Sequence, residues 1–541
     1  MALKKITVSA ALAVLTVAAS VTVFMGFDSS ALKTAVAEEP SPVEMQDSSL
    51  PEEEVTVTTT TTPAVTTVTA VSTTSSTGGT TATTSVTTAA SKTTKAATTK
   101  KTAKKTAKKT TAEVPAAAQQ VTEKAETVAA EVKTAASTTA KKKTTTKAAA
   151  STKATTTTAK ATSTTPPALR ETEVESSRKV INYQTQKAMW VTLFDLNRML
   201  EGRSEAQFKE SFGKLCSDSK ALGINTLYVH ARALGDAFYQ SSWYPWSAFA
   251  SGTVGVSPGF DPFKTVTECA HTFGLSVHAW INPYRCGTPE QMEQMPEDYL
   301  IKKWYDDPDK YPEYISYAPD YGKYWLNPGI PAVRELIARG VEELVSNYDI
   351  DGVHIDDYFY PTTETWFDAA TYQKYGSGMT LSQWRLFNCT ATVKYMYDCV
   401  KAADPSLVFG IAPQGNYENN YAYMYADVSL WLSQAGYCDY VAPQIYFGYN
   451  NRWKPFASTL AQWAALPRDK SVTLVIGIAA ANMELDDEYY NDVGIISKQI
   501  RDSLTSADGI ALYSYASLFT PGSGYEDRAA SERVYVKKAL Q

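Results

Sequence analysis

Beyond residue 180, short apolar runs take turns with longer stretches in which apolar positions recur every three or four residues. The short runs span 188–194, 226–230, 276–281, 352–356, 408–412, 440–444, 472–478 and 510–514. They are rich in Val, Ile and Tyr, which predicts buried strands. The stretches 204–222, 261–273, 331–348, 381–403, 424–436, 456–465, 492–505 and 529–540 carry the helical period. Strand and helix in alternation predict parallel β-α units, and eight such units predict an α/β fold of the TIM type, a (β/α)8 barrel. Boundary residues agree. Pro331 follows an Asn-Pro-Gly turn, as expected at a first helical position, and Gly223 and Gly274 end helices just before strands. The long connections, 231–260, 282–330 and 357–380, all follow strands, and on such a barrel the loops after the strands build the active site.

Composition divides the rest of the chain. Residues 1–37 combine Lys4 and Lys5, an apolar core over 6–27 and the small residues Ala35-Val36-Ala37, which predicts an export signal. The apolar core is long, so an uncleaved membrane anchor is the alternative. Residues 38–179 are Thr, Ser, Ala, Pro and Lys with almost no large apolar side chains. Such a segment cannot bury enough surface to offset the entropy of ordering, which predicts a disordered tether. Its part 56–88 reads as a Thr-rich stalk, and the repetitively basic part 92–160 should be drawn to anionic wall polymers. Nucleic acid is not the expected partner, because no aromatics interleave with the lysines. The formal net charge of −6 conceals this division: with a basic tether, the barrel segment 180–541 must be acidic. All six cysteines fall in that segment without metal-binding spacing and read as small buried hydrophobes.

The candidate chemistry centres on Asp356 and Asp357, which arrive where the fourth strand should end, followed by Tyr358, Phe359 and Tyr360. Other expected strand ends bring His230, Asp236, His278, Asn282, Tyr284, Arg285, Gln414, Gln444, Tyr446 and Tyr513 to the same face. Acids, amides and rings around one bowl suit a carbohydrate, with carboxyls for acid/base work on a glycosidic bond. Asp356 is expected as nucleophile or base. Asp357 and Asp236 compete for the acid, and alternation along a strand favours Asp236. His278 is expected to bond a hydroxyl or orient an acid, Arg285 to pair with a carboxylate, and Trp243, Tyr244 and Trp246 to wall a subsite. No metal or cofactor is expected.

The stretches GDAFYQSSWYPWS (235–247), PGFDPF (258–263), VHAWINPYR (277–285), LNPGIPAVRE (326–335), DGVHIDDYFYP (351–361) and DYVAPQIYF (439–447) together resemble the glycosyl hydrolase-like 10 family, the former domain of unknown function 187. The resemblance implies a (β/α)8 glycosidase fold and an envelope enzyme acting on peptidoglycan glycan strands, particularly those stripped of stem peptides. It carries over Asp236, His278, Asn282, Arg285, Asp356, Asp357, Gln414, Gln444 and Tyr446 as site positions. The expectation is thus an exported glycoside hydrolase of the cell wall. A non-catalytic glycan-binding barrel and a metal-dependent barrel hydrolase are the other readings, the latter disfavoured because the first strand, MWVTLFD, lacks the paired histidines such sites use.

Overall fold

The computed structural model describes residues 180–541; the expected export signal and tether lie outside the described residues. The barrel strands are Lys187–Val191, Thr226–Arg232, Ser276–Ile281, Gly352–Ile355, Val408–Ile411, Tyr440–Val441, Thr473–Ala479 and Gly509–Tyr513. Each pairs in parallel with its neighbours in chain order, and the first closes onto the last through Lys187 and Ile510. Helices follow every strand on the outside, from Glu205–Leu222 to Glu526–Leu540. This is the (β/α)8 barrel expected from the pattern.

Local chemistry sets the element ends. Ser204 and Gln207 form a capping box at the start of the first outer helix, and Gly223 ends it at φ 110°, a conformation costly for any residue with a Cβ. Asp261 caps the next helix, with Pro262 in its first turn. Two apolar layers result. The larger lies between strands and helices; the smaller fills the barrel, built from Ala188, Trp190, Tyr228, Tyr440, Val475 and their neighbours. Gly410 makes room for the Tyr440 ring, since a Cβ there would stand 1.8 Å from its Cζ.

Three elements depart from the pattern. The first strand stops at Val191, and Leu193–Leu200 is a helix, because Thr192 and Asp195 cap each other's backbone groups. Residues 424–436 hold a shorter helix, Val428–Ser433, preceded by Tyr417–Ala422. The long connection 282–330 contains an antiparallel hairpin, Ile315–Ala318 with Lys323–Leu326, turned through Gly322. All six cysteines are free thiols and buried, as read.

Candidate active site

A cleft of about 280 Å³ opens at the C-terminal ends of the strands. Trp190 and Thr192 reach it from the first strand, His230 from the second, Trp280 from the third, Asp356 from the fourth and Tyr513 from the eighth. Gln444 and Tyr446 line it from beyond the short sixth strand, which is prolonged by bridges from Gln444 to Gln414 and Gly477. Tyr358 and Arg285 close one side, the guanidinium 4.0 Å over the ring.

Asp356 is buried and held from one side. Its Oδ2 accepts from Asn282 Nδ2 at 2.5 Å and from Trp280 Nε1 at 3.2 Å. Its Oδ1 has no hydrogen-bond partner among the described residues. The Asn282 amide cannot turn over, because its Oδ1 accepts from Arg285 Nη2 at 2.8 Å and faces His230 Nε2 at 3.2 Å. His230 has its own orientation fixed: the Leu193 backbone N–H donates to Nδ1 at 3.0 Å, so Nε2 carries the proton and donates to Asn282. Burial, then the Arg285 charge, keep that ring neutral by pushing its pKa well below the ordinary value. The ring also stacks on Trp280, centroids 3.3 Å apart. A backbone amide, a histidine, an asparagine and a carboxylate thus form one directed chain, possible only because the Thr192 cap turns Leu193 inward.

Asp357 follows Asp356 in the chain and is bonded from the sixth-strand side. Its Oδ1 accepts from Gln444 Nε2 at 3.2 Å, and the Gln414 amide also reaches it. Both carboxyls resist ionisation. Burial raises Asp356 to about 6, against the pull of Arg285 and Asn282. Burial and then the neighbouring Asp356 charge raise Asp357 to about 7. Two adjoining buried carboxyls of this kind share one proton near neutral pH.

Of the expected site residues, Asp356, Asn282, Arg285, Tyr358, Gln444 and Tyr446 are brought together, with Asp357 and Gln414 adjoining through Gln444. Four stand elsewhere. Asp236 is buried, and its Oδ1 accepts from the backbone N–H groups of Leu234 at 2.9 Å and Ala233 at 3.4 Å; it caps its own loop and does not line the cleft. His278 lies deeper in the barrel, where Trp190 donates to His354, His354 to Tyr440, and Tyr440 to His278 Nδ1 at 2.8 Å. Burial lowers its pKa to about 4 and keeps it a neutral core residue. Tyr284 is fully buried against Phe359. Trp243 packs beneath Arg339, and Tyr244 donates to Leu336 O, so this aromatic loop covers the helix Pro331–Asn347 and forms no wall of the cleft. The lining also includes His230, weighed in the sequence only as one of several strand-end residues, and Trp280 and Lys323, to which no role was given. Strand alternation gave a signal for two of them, since His230 and Trp280 occupy paired positions on neighbouring strands. Among the described residues no three His, Cys, Asp or Glu side chains converge as a metal site requires.

A family model described as glycosyl hydrolase-like 10 matches residues 185–491. The glycosyl hydrolase YngK of Bacillus subtilis (strain 168) is 34% identical over 302 residues, 52% of this chain and 57% of that protein. The glycosyl hydrolase DigH of Escherichia coli (strain K12) is 30% identical over 342 residues, 58% of this chain and 75% of that protein. The matched region therefore spans little more than half of YngK. Among solved structures, the PgaB (BpsB) glycoside hydrolase domain from Bordetella bronchiseptica aligns with a TM-score of 0.45 at 14% identity, over 64% of this chain and 98% of that one.

Proposed function

The chain belongs to the glycosyl hydrolase-like 10 family, and from that premise we propose that it is an exported glycoside hydrolase cutting O-glycosidic bonds of a cell-wall glycan, peptidoglycan strands foremost. One observation carries the reading: Asp356 lines the cleft, its buried carboxyl oriented by Asn282, Trp280 and the Tyr358 backbone N–H and raised in pKa to about 6. A carboxyl that ionises near neutral pH can serve, once ionised, as the nucleophile or as the base that activates a water, the part expected of Asp356. Asp357, its neighbour in the chain, is raised by burial and then by the Asp356 charge, so ionisation of either carboxyl opposes ionisation of the other. Trp280, Tyr358, Tyr446 and Tyr513 line the cleft with rings suited to the apolar side of a pyranose, and Arg285 offers a donor and the Gln444 Oε1 an acceptor to its hydroxyls.

The basic tether, drawn to anionic wall polymers, keeps the barrel at its substrate in this proposal. The reading is tested by incubating the full chain with purified peptidoglycan, intact and amidase-treated, and separating the products by chromatography. New reducing ends from either substrate, more from the amidase-treated one, are expected. None from any cell-wall glycan would overturn it.

A further inference from the structure

Two cations share the hairpin side of the cleft. Arg285 is engaged: its Nη2 donates to Asn282, its Nε donates to Ala233 O at 3.2 Å, and its plane covers Tyr358. Lys323, first residue of the second hairpin strand, lines the same cleft and is half-buried. Among the described residues no carboxylate lies within 4.0 Å of its ammonium, although six other lysines have such a partner. Burial and the like charge of Arg285 both oppose its protonation, and no acid offsets them. A partly desolvated cation beside another cation is unfavourable until an anion reaches it. Asp356 does not serve: its Oδ2 is taken by Asn282 and Trp280, and neither of its oxygens lies within 4.0 Å of the Lys323 ammonium. Thr288 and Gln291 complete this polar wall.

We infer that Lys323, with Arg285 beside it, is a subsite for a carboxylate carried by the saccharide itself. The inference rests on the proposed glycan reading and narrows it: the preferred strand bears free carboxylates at the sugar that sits on the Arg285 side of Asp356. Two sugar types present that group, a hexuronate and an amino sugar with a carboxyalkyl ether. They differ in how far the carboxylate stands from the ring. Lys323, on a hairpin turned through Gly322, is therefore a specificity residue and not part of the proton-transfer apparatus.

The test compares three saccharides of equal length on the full chain: peptide-free peptidoglycan fragments, the same fragments with carboxyls reduced to alcohols, and an oligohexuronate. Affinity is read by calorimetry and cleavage by product chromatography, for the wild type, Lys323→Met and Lys323→Arg. The wild type is expected to bind the carboxylated fragment about tenfold more tightly than its reduced form, the size of one charge-assisted hydrogen bond. Lys323→Met should erase that ratio and Lys323→Arg restore it, which separates charge from loss of the hairpin. Tighter binding of the oligohexuronate would assign the site to uronates; tighter binding of the peptidoglycan fragment, to the ether-linked acid. Equal affinity of the wild type for carboxylated and reduced fragments, or an unchanged ratio in Lys323→Met, overturns the inference. Carboxylate-selective binding without cleavage would leave the subsite standing and remove the hydrolase reading. Cleavage indifferent to carboxylates would do the reverse.

Discussion

Asn282 connects the groups that matter most, since its amide takes hydrogen bonds from His230 and Arg285 and gives one to Asp356. That donated bond favours the charged form of Asp356. Asn282→Ala should therefore shift the acidic limb of the activity profile to higher pH and lower kcat about 10- to 100-fold, as loss of an orienting partner does; an unshifted limb would disconnect Asn282 from the carboxyl. In the wild type, activity should fall on either side of the window between about pH 6 and about pH 7, where Asp356 and Asp357 together hold one proton. The same shifts bear on stability. Both carboxyls are raised in the fold, so the folded chain binds protons more tightly than the unfolded chain; the resulting stability is present below the unfolded value of about 3.9 and is lost as pH rises through 6 and 7. Asp357→Asn removes one such group, and its gain in unfolding free energy over the wild type should grow from pH 5 to pH 8 in chemical denaturation, reaching roughly 1 kcal/mol or more. A constant difference would contradict the burial argument. At this scale the sequence placed Asp356 at the cleft but did not show which histidine reaches it. His278 and His230 sit on neighbouring strands; only the packed barrel sends one ring inward to Tyr440 and the other up onto Trp280. Asp236 misled for a similar reason, because an acid two residues after Leu234 satisfies its own loop as readily as a substrate.

The loops after the third and fourth strands, more than the strands, decide the cleft's shape. The loop after Asp357 is clamped by Arg385 of the helix Leu381–Ala403, which pairs with Asp368 at 2.6 Å and donates to the backbone carbonyls of Thr363 at 3.0 Å and Glu364 at 2.7 Å. Both side chains of the pair are fully buried. Arg385→Leu leaves the Asp368 charge and two carbonyls uncompensated, and should cost about 3–5 kcal/mol in chemical denaturation; a loss under 1 kcal/mol would show that the clamp is dispensable. All eight strands were legible from their apolar runs, because strands buried on both faces read as continuous Val, Ile and Tyr. The helix Leu193–Leu200 was not, since Val-Thr-Leu-Phe continues the strand pattern and only the Thr192–Asp195 capping box breaks it. The hairpin that carries Lys323 was hidden as well. Its strands are only four residues each, and buried and partly exposed positions do not alternate along them, so no period marks them.

As a whole, the described chain begins on the barrel face opposite the cleft. Ile181 N–H donates to Asp351 Oδ1 at 2.6 Å, Asn182 to Ser406 O and Tyr183 to Gly274 O, all groups that precede strands. His271 bonds the other Asp351 oxygen at 2.9 Å. A chain starting at residue 180 should keep its Tm and its activity on soluble fragments, and lose salt-sensitive binding to anionic wall polymers; binding that survives in this shortened chain would move the affinity onto the barrel. The strongest test of the whole account is the rate at which new reducing ends appear from peptide-free peptidoglycan with the wild type and with Asp356→Asn, both shown to be folded by near-ultraviolet circular dichroism. The account predicts steady release by the wild type and a fall of at least about 100-fold in the variant. Equal rates from the two proteins would contradict it.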